Sequence, residues 1–200
     1  MLIARIIYPI TTLGPGNRLV IWTVGCSKHC CNCANPELFS FDSSKEISVK
    51  TLSGKINYIV ENYNVDGITI TGGDPLEQRK ELFELLTLIK PNVQDLLVYT
   101  GYTLTELSRM LTEEELKFLK EHVPVLIDGP YVEELNDNKV SLRGSVNQNI
   151  HYFDVSLKSK YEQYLKKGRS VQNVYNDDMV ISVGIHNIEE KENGRAEKNI

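Results

Sequence analysis

The sequence predicts an α/β fold with a parallel sheet, in the form of a partial, open β/α barrel followed by a short C-terminal extension. Short apolar runs rich in β-branched residues recur along the chain, and segments with helical spacing lie between them. Alternation of strands and helices is typical of parallel sheets. The chain has 200 residues, fewer than the ~250 usual for a closed eight-fold barrel, which favours an open arrangement.

Four apolar runs are predicted to be buried strands, because they are continuously apolar, as parallel strands covered on both faces tend to be. These are residues 19–24 (LVIWTV), 67–71 (GITIT), 96–100 (LLVYT) and 123–128 (VPVLID). A further run at 179–183 (MVISV) is predicted to be a last strand.

Helices are predicted in the intervals between these runs. Apolar residues recur at steps of three and four over 47–63 and over 82–89, the second stretch following Pro75, which suits a helix start. A threonine followed three residues later by a glutamate, at 103–106 and again at 112–115, has the spacing of a capping box. Two short helices should therefore begin there.

The predicted domain organisation is a core domain over 1–155 and an extension over 156–200. Residues 157–167 have the pattern of an amphipathic helix ended by Gly168. The final stretch, 189–200 (EEKENGRAEKNI), is charged and lacks aromatic residues, so we expect it to be frayed. The sequence contains no internal repeat.

Composition and charge limit the classes of function that the chain can have. The net charge of −5 argues against a general nucleic-acid binder, which normally has a basic excess. No apolar stretch approaches the ~20 residues that cross a bilayer, and the N-terminus lacks the cleavage site of a signal peptide. We therefore expect a cytoplasmic protein with no membrane partner, whose thiols stay reduced.

All four cysteines lie within residues 26–33 (CSKHCCNC). A disulfide framework would spread its cysteines along the chain, and the adjacent Cys30 and Cys31 do not bridge without strain. Both points disfavour disulfides and leave two better alternatives. The spacing C-x3-C-x2-C suits a [4Fe–4S] cluster, whereas three thiols with His29 could form a zinc site, although zinc loops more often have two C-x2-C pairs.

Three thiolates on one loop can hold three irons of a [4Fe–4S] cube. The fourth iron then has no protein ligand, and a substrate can coordinate there, as at the open position of a catalytic zinc site. Such a loop would therefore serve catalysis rather than structure alone.

Several motifs in the same order resemble the radical S-adenosylmethionine (SAM) enzymes and, within them, the activating proteins of anaerobic ribonucleoside-triphosphate reductase. The C-x3-C-x2-C spacing is the signature of the larger family. The other stretches are 14–26 (GPGNRLVIWTVGC), 69–78 (TITGGDPLEQ), 98–103 (VYTGYT) and 125–150 (VLIDGPYVEELNDNKVSLRGSVNQNI). The resemblance covers about three quarters of the chain.

The resemblance implies a cluster held by Cys26, Cys30 and Cys33, with SAM bound to the open iron. The motif that contacts the SAM amino group in the family matches residues 72–75, namely Gly72, Gly73, Asp74 and Pro75. Glycines let the backbone approach a ligand closely, and Asp74, where many relatives have glutamate, could offset the ammonium charge. Without the resemblance, GGDP would be interpreted as a plain strand-to-helix turn.

Further residues are implied to bind SAM at the ends of the next strands. Tyr99, Thr100 and Gly101 are expected to line the SAM pocket, although Tyr99 alone could equally be a core aromatic. Asp128 ends the following strand and is expected either to face the same SAM pocket or to form a turn. Arg143 could pair with the SAM carboxylate, because guanidinium suits carboxylates, or with a protein partner, or lie in solvent.

The function implied is that of an activase. A reduced cluster passes one electron to SAM, giving methionine and a 5′-deoxyadenosyl radical, which takes a hydrogen from a glycine of a large glycyl-radical ribonucleotide reductase. An electron donor such as flavodoxin is then required. Two features depart from the family pattern, the extra Cys31 and Asn32 in place of a common aromatic. The alternatives are a radical SAM enzyme for a small molecule or peptide, and a non-enzymatic zinc-binding module.

Overall fold

In a computed structural model, which describes residues 1–89, 93–176 and 179–187, the chain forms one six-stranded sheet and a separate two-stranded hairpin. The strands of the large sheet are β1 (Ile3–Ile10), β2 (Arg18–Thr23), β3 (Gly67–Gly72), β4 (Leu96–Tyr99), β5 (Val125–Asp128) and β6 (Asn149–Tyr152). They lie side by side in chain order. Strands β2 to β5 are parallel, and the edge strands β1 and β6 are antiparallel to their neighbours.

In the described residues, five α-helices accompany the sheet. They are α1 (Val49–Asn62), α2 (Arg79–Leu88), α3 (Leu104–Met110), α4 (Glu113–His122) and α5 (Lys158–Leu165). Both predicted capping boxes are confirmed: Thr103 with Glu106 starts α3, and Thr112 with Glu115 starts α4. The hairpin consists of β7 (Val171–Asn176) and β8 (Met179–Gly184).

The predicted parallel strands and helices are confirmed within a few residues. Strand β2 is buried along its whole length, as its continuous apolar run indicates. Strands β1, β6 and β7 were not predicted from the sequence. The fold is therefore mixed α/β with a largely parallel sheet; within the described residues β1 and β6 do not pair, so the sheet does not close into a barrel.

The two faces of the sheet have different covers. Side chains such as Ile21 and Ile70 pack with helices α1 to α4 in the largest apolar cluster. Because successive residues of a strand point to opposite faces, their neighbours Val20 and Trp22 lie on the other face. There they pack against β7 and β8, while Ile127 and other residues of β4 and β5 pack against α5.

Buried charges join α5 to the large sheet. Arg18, whose side chain is fully buried, lies 3.1 Å from the Asp95 carboxylate. Lys160 and Tyr161 of α5 donate hydrogen bonds to the same carboxylate, both at 2.7 Å. Buried charges are tolerated when they are paired and hydrogen-bonded, so α5 completes a site that the sheet alone would leave unsatisfied.

The predicted C-terminal helix and last strand are confirmed as α5 and β8. The stretch expected to be frayed, 189–200, lies outside the described residues. In the part of the chain that the structure describes, no helix has the length and apolar character needed to cross a membrane.

Candidate functional site

The cysteine loop, residues 26–33, leaves the end of β2 at the carboxyl edge of the parallel strands. Ligand sites of open α/β sheets lie at this edge. All four cysteines are free thiols; Cys26, Cys30 and Cys33 are partly buried, and Cys31 is exposed. A tight turn is built into the loop, because His29 and Asn32 both have left-handed backbone conformations, with φ of 46° and 53°.

Backbone hydrogen bonds hold both ends of the cysteine loop. Cys26 N–H donates to the Phe39 carbonyl at 3.0 Å, and Cys33 N–H donates to the Cys30 carbonyl at 3.2 Å. Just after the loop, Asn35 N–H points at the Cys33 sulfur, 3.5 Å away. Backbone hydrogen bonds therefore fix the conformation of the loop that carries the thiols.

The chemistry of the three outer thiols fits an iron–sulfur cluster. Burial raises the pKa of the Cys26 thiol, and the backbone N–H groups of Lys28 and His29, which point at its sulfur, act in the opposite direction. Hydrogen bonds to cluster sulfurs are a normal part of such sites.

The GGDP loop, residues 72–75, packs directly on the base of the cysteine loop. Gly73 N–H donates to the Thr23 carbonyl and Asp74 N–H donates to the Gly25 carbonyl, both at 2.8 Å. A Cβ added to Gly73 would collide with the Gly25 backbone. Gly72 has a φ of 109°, a conformation that favours glycine. The two predicted motifs are thus joined backbone to backbone.

Asp74 links the GGDP loop to the end of β4. Its fully buried carboxylate accepts hydrogen bonds from Thr100 Oγ1 at 2.9 Å, Gly101 N–H at 2.8 Å and Leu76 N–H at 3.0 Å. Burial raises its pKa to about 6, although these three donors favour the ionised form. Pro75 then opens a short 3₁₀ helix over Pro75–Gln78, which leads into α2.

Tyr99 and Gly101 also lie near the cysteine loop. The Tyr99 hydroxyl donates to the Leu142 carbonyl at 2.9 Å. A Cβ on Gly101 would come within 3.0 Å of the Lys28 side chain, so the loop after β4 approaches the cysteine loop closely. Thr100 is buried, and its hydroxyl is engaged by Asp74.

Asp128 and Arg143 make hydrogen bonds within the protein scaffold. Asp128 is buried, and its carboxylate accepts from Leu104 N–H at 2.6 Å, at the start of α3, and from Asn149 N–H at 3.2 Å in β6. Arg143 Nη1 donates to the Gln148 carbonyl at 2.8 Å. Its Nε atom is buried with no hydrogen-bond partner among the described residues. A contact of either residue with SAM stays a prediction.

A cavity of about 190 Å³ lies beside the cysteine loop, on the sheet face that α5 and the hairpin cover. Of the predicted site residues, Cys33 and Tyr99 line it. Its other lining residues come from several distant parts of the chain, including Arg5, Trp22, Asn35, Gln148, Ile181 and Val183. The cysteine loop thus borders a largely apolar cavity that is partly open to solvent.

Arg5 is a cavity residue that the sequence did not indicate. Its Nη2 atom donates to Asn35 Oδ1 at 2.8 Å, and its guanidinium lies 5.1 Å from the centre of the Trp22 ring. A lone arginine in an edge strand resembles any solvated charge, so no motif marks it. It connects β1 to the segment that follows Cys33.

Comparison with known proteins places these features in a family. A family model described as a 4Fe-4S single cluster domain matches residues 12–151. The anaerobic ribonucleoside-triphosphate reductase-activating protein of Enterobacteria phage T4 is 32% identical over 149 residues, covering 72% of this chain and 90% of that protein. The chain belongs to this family of reductase-activating proteins. The equivalent protein of Vibrio cholerae is 30% identical over 153 residues, covering 73% of the chain and 95% of the relative.

Membership in this family confirms the resemblance that the motifs indicated. The cofactors of this chain are accordingly a [4Fe–4S] cluster and SAM. The family match ends at residue 151, one residue before the end of β6, so α5 and the hairpin lie outside it.

Proposed function

We propose that this chain is a radical SAM activase that generates a glycyl radical on a separate, large anaerobic ribonucleotide reductase. The relatives are named for activating that reductase. The observation that carries the proposal is the hydrogen bonding of the GGDP loop to Thr23 and Gly25, which lead directly into the cysteine loop at the carboxyl edge of the sheet. When bound, the cluster and SAM supply reductive cleavage of the SAM carbon–sulfur bond and hydrogen abstraction from a glycine Cα.

Cys26, Cys30 and Cys33 would hold three irons as thiolates. The N–H groups of Lys28 and His29 then stabilise the sulfur charge at Cys26. Cys31 would remain outside the cluster, since it is exposed and its sulfur lies 3.9 Å from the Glu133 carboxylate. This assignment accounts for one departure of the loop from the family pattern, the extra Cys31.

The GGDP loop would bind the amino group of SAM through backbone brought close by Gly72 and Gly73. Asp74 contributes a negative charge behind that backbone and fixes the loop against Thr100 and Gly101. Tyr99 would line the SAM pocket, as its place in the cavity wall supports.

Asp128 and Arg143 would contribute to SAM binding from the end of β5 and the loop before β6. The Asp128 carboxylate orients the start of α3, so its effect would pass through that backbone. Arg143 keeps one buried nitrogen for an acceptor, which suits a carboxylate of SAM or of a partner.

The rest of the proposal concerns architecture and partners. The largely parallel sheet would be the partial barrel of a radical SAM core over 1–155, with 156–200 as the extension. A flavodoxin-like donor would reduce the cluster in the cytoplasm, and neither nucleic acid nor membrane takes part. A radical needs a dry site, and the apolar walls of the cavity meet that need.

The alternative with the same chemistry is a radical SAM enzyme acting on a small molecule or peptide. The relatives are named for activating a reductase, which favours a protein acceptor over a small molecule. A zinc-binding module is the second alternative and predicts colourless protein with one metal ion.

Metal and radical assays on a matched pair of variants test the proposal. Anaerobically reconstituted protein should contain about four irons and four sulfides per chain. With reductase, SAM and a reductant, it should produce a glycyl radical detectable by electron paramagnetic resonance. Cys30→Ser should lose both the normal iron content and the radical, whereas Cys31→Ser should keep both.

Two outcomes would contradict the proposal. One is a wild-type protein with the full cluster that cleaves SAM and modifies a small molecule without any reductase. The other is equal loss of iron in the Cys30→Ser and Cys31→Ser variants, since the cluster would then depend on Cys31 as much as on an outer thiol.

A further inference from the structure

The C-terminal extension forms part of the cavity wall beside the cysteine loop. Strand β8 and the residues after it contribute Ile181, Val183 and Ile185, which share the cavity with Cys33 and Tyr99. The family match ends at residue 151, and the relatives are covered over 90–95% of their own length. This wall therefore belongs to a segment that the shared region does not include.

Helix α5 is anchored to the sheet by buried polar contacts. Lys160 and Tyr161 donate to the Asp95 carboxylate, which also pairs with the fully buried Arg18. The Tyr164 hydroxyl donates to the Thr11 carbonyl at 2.8 Å. Withdrawal of α5 would leave the Arg18–Asp95 pair without these partners, which is costly for buried charge.

The hairpin is anchored from two sides. Thr12 Oγ1 donates to the Val183 carbonyl at 2.8 Å, and Gln172 Nε2 donates to the Pro9 carbonyl at 2.9 Å. Val183 itself is buried against Val20 and other residues of the sheet. The extension therefore packs as part of the core.

Arg169, between α5 and the hairpin, connects the extension to the loop before β6. Its guanidinium donates to the His186 carbonyl at 3.0 Å, the Val140 carbonyl at 3.0 Å and Asn136 Oδ1 at 2.7 Å. The Arg169 side chain thus connects the extension to the loop before β6, which also contributes residues to the cavity wall.

We propose that the extension stays seated during the reaction and acts as a fixed, specificity-determining wall of the reaction cavity. Ile181 is the residue to test, because it lines the cavity together with Cys33 and its side chain packs on the inner face of β8. The wall would limit the size of the acceptor group that reaches the cavity. The acceptor segment of the partner then enters at the edge that carries the cysteine loop, where Ser27, Cys31 and Ala34 are exposed. This inference rests on the proposed function.

Hydrogen exchange tests whether the extension stays packed against the sheet. An isolated two-stranded hairpin is at best marginally stable, so a displaced hairpin would lose protection of its amides. The amides of β7 and β8 should keep the same protection when the reductase is added to the SAM-bound protein. Loss of that protection on adding the reductase would overturn the inference.

Two neighbouring substitutions on β8 test the wall itself. Ile181→Trp fills the cavity from the inner face of the strand, whereas Val180→Trp adds the same bulk on the outer face, where Val180 is 58% exposed. Ile181→Trp should lower the glycyl-radical yield at least tenfold, and Val180→Trp less than twofold. Iron content and the midpoint of thermal unfolding, measured on both, show whether either variant has misfolded.

Ile181→Ala gives a second, opposite test that does not depend on tolerating a large side chain. A wider cavity should hold the acceptor less closely, so the number of SAM molecules cleaved per glycyl radical should rise at least twofold. If neither Ile181 variant differs from Val180→Trp while the wild type makes the radical, the wall has no such role. If the wild type makes no glycyl radical at all, the proposed function fails, and hydrogen exchange still reports on the extension.

Discussion

Asp74 is the residue through which three parts of the site contact one another. Its N–H group binds the base of the cysteine loop, and its carboxylate accepts from Thr100 and Gly101 at the end of β4. Burial raises the pKa of this carboxyl to about 6. Because the folded pKa lies above the ordinary value of 3.8, the folded state binds the proton more tightly than the unfolded state does.

The raised pKa of Asp74 has a consequence for stability. Its contribution is fully favourable below pH 3.8 and is lost as pH rises through about 6. Asp74→Asn removes the titration, so the free energy of unfolding of the variant relative to wild type should rise by about 1 to 1.5 kcal/mol from pH 5 to pH 8. Urea unfolding of the cluster-free, reduced proteins at several pH values measures it. A difference that is independent of pH would show that the carboxyl titrates normally.

The sequence marks some candidate site residues more clearly than others, for a physical reason. Cysteines at a fixed spacing and two adjacent glycines form local patterns that can be recognised in the sequence alone, and the structure places these two patterns next to each other. The side chains of Thr100 and Asp128 have many roles, and their partners Asp74 and Leu104 come from other parts of the chain. Only the folded structure shows that both hold backbone in place.

Helices and strands, too, were predictable where their sequence signal is local and not where it depends on distant neighbours. Helices α3 and α4 were predictable because a capping box is local: its two residues are only three positions apart in the sequence. The edge strands β1 and β6 were not predicted, because their antiparallel pairing depends on a neighbour and they lack a continuous buried run. Their partly exposed residues give no strong pattern.

Helix α5 has low intrinsic stability and depends on contacts with the sheet. It has eight residues and its first residue has no side-chain cap, and helices this short are marginal in isolation. The hydrogen bond from the Tyr161 hydroxyl to the buried Asp95 carboxylate supplies one such contact.

Tyr161→Phe should therefore destabilise the protein by about 1.5 to 3 kcal/mol, the usual range for a hydrogen bond to a charged group. Tyr175→Phe is the matched control, because Tyr175 is 76% exposed and surface substitutions usually change stability by less than about 0.5 kcal/mol. Urea denaturation of both variants measures the difference. Equal stability of the two would mean that Asp95 is satisfied without the Tyr161 hydroxyl.

The whole molecule is organised by the two covers of one sheet. Helices α1 to α4 cover one face, within the region that the family shares, and the extension covers the other. The cavity and the cysteine loop lie on the side of the extension. The stability of the sheet and the shape of the cavity beside the cysteine loop therefore depend on the same segment.

Truncation after residue 154 tests this dependence. It would expose Val20 and Ile127 and leave the buried Arg18–Asp95 pair without its α5 partners. The shortened chain should lose fixed tertiary packing, seen as a lost near-ultraviolet circular dichroism signal and binding of a hydrophobic dye. Truncation after residue 187 keeps every contact described above and should preserve both signals. A stable, cooperatively unfolding chain of residues 1–154 would show that the extension is an attachment and that the sheet folds without it.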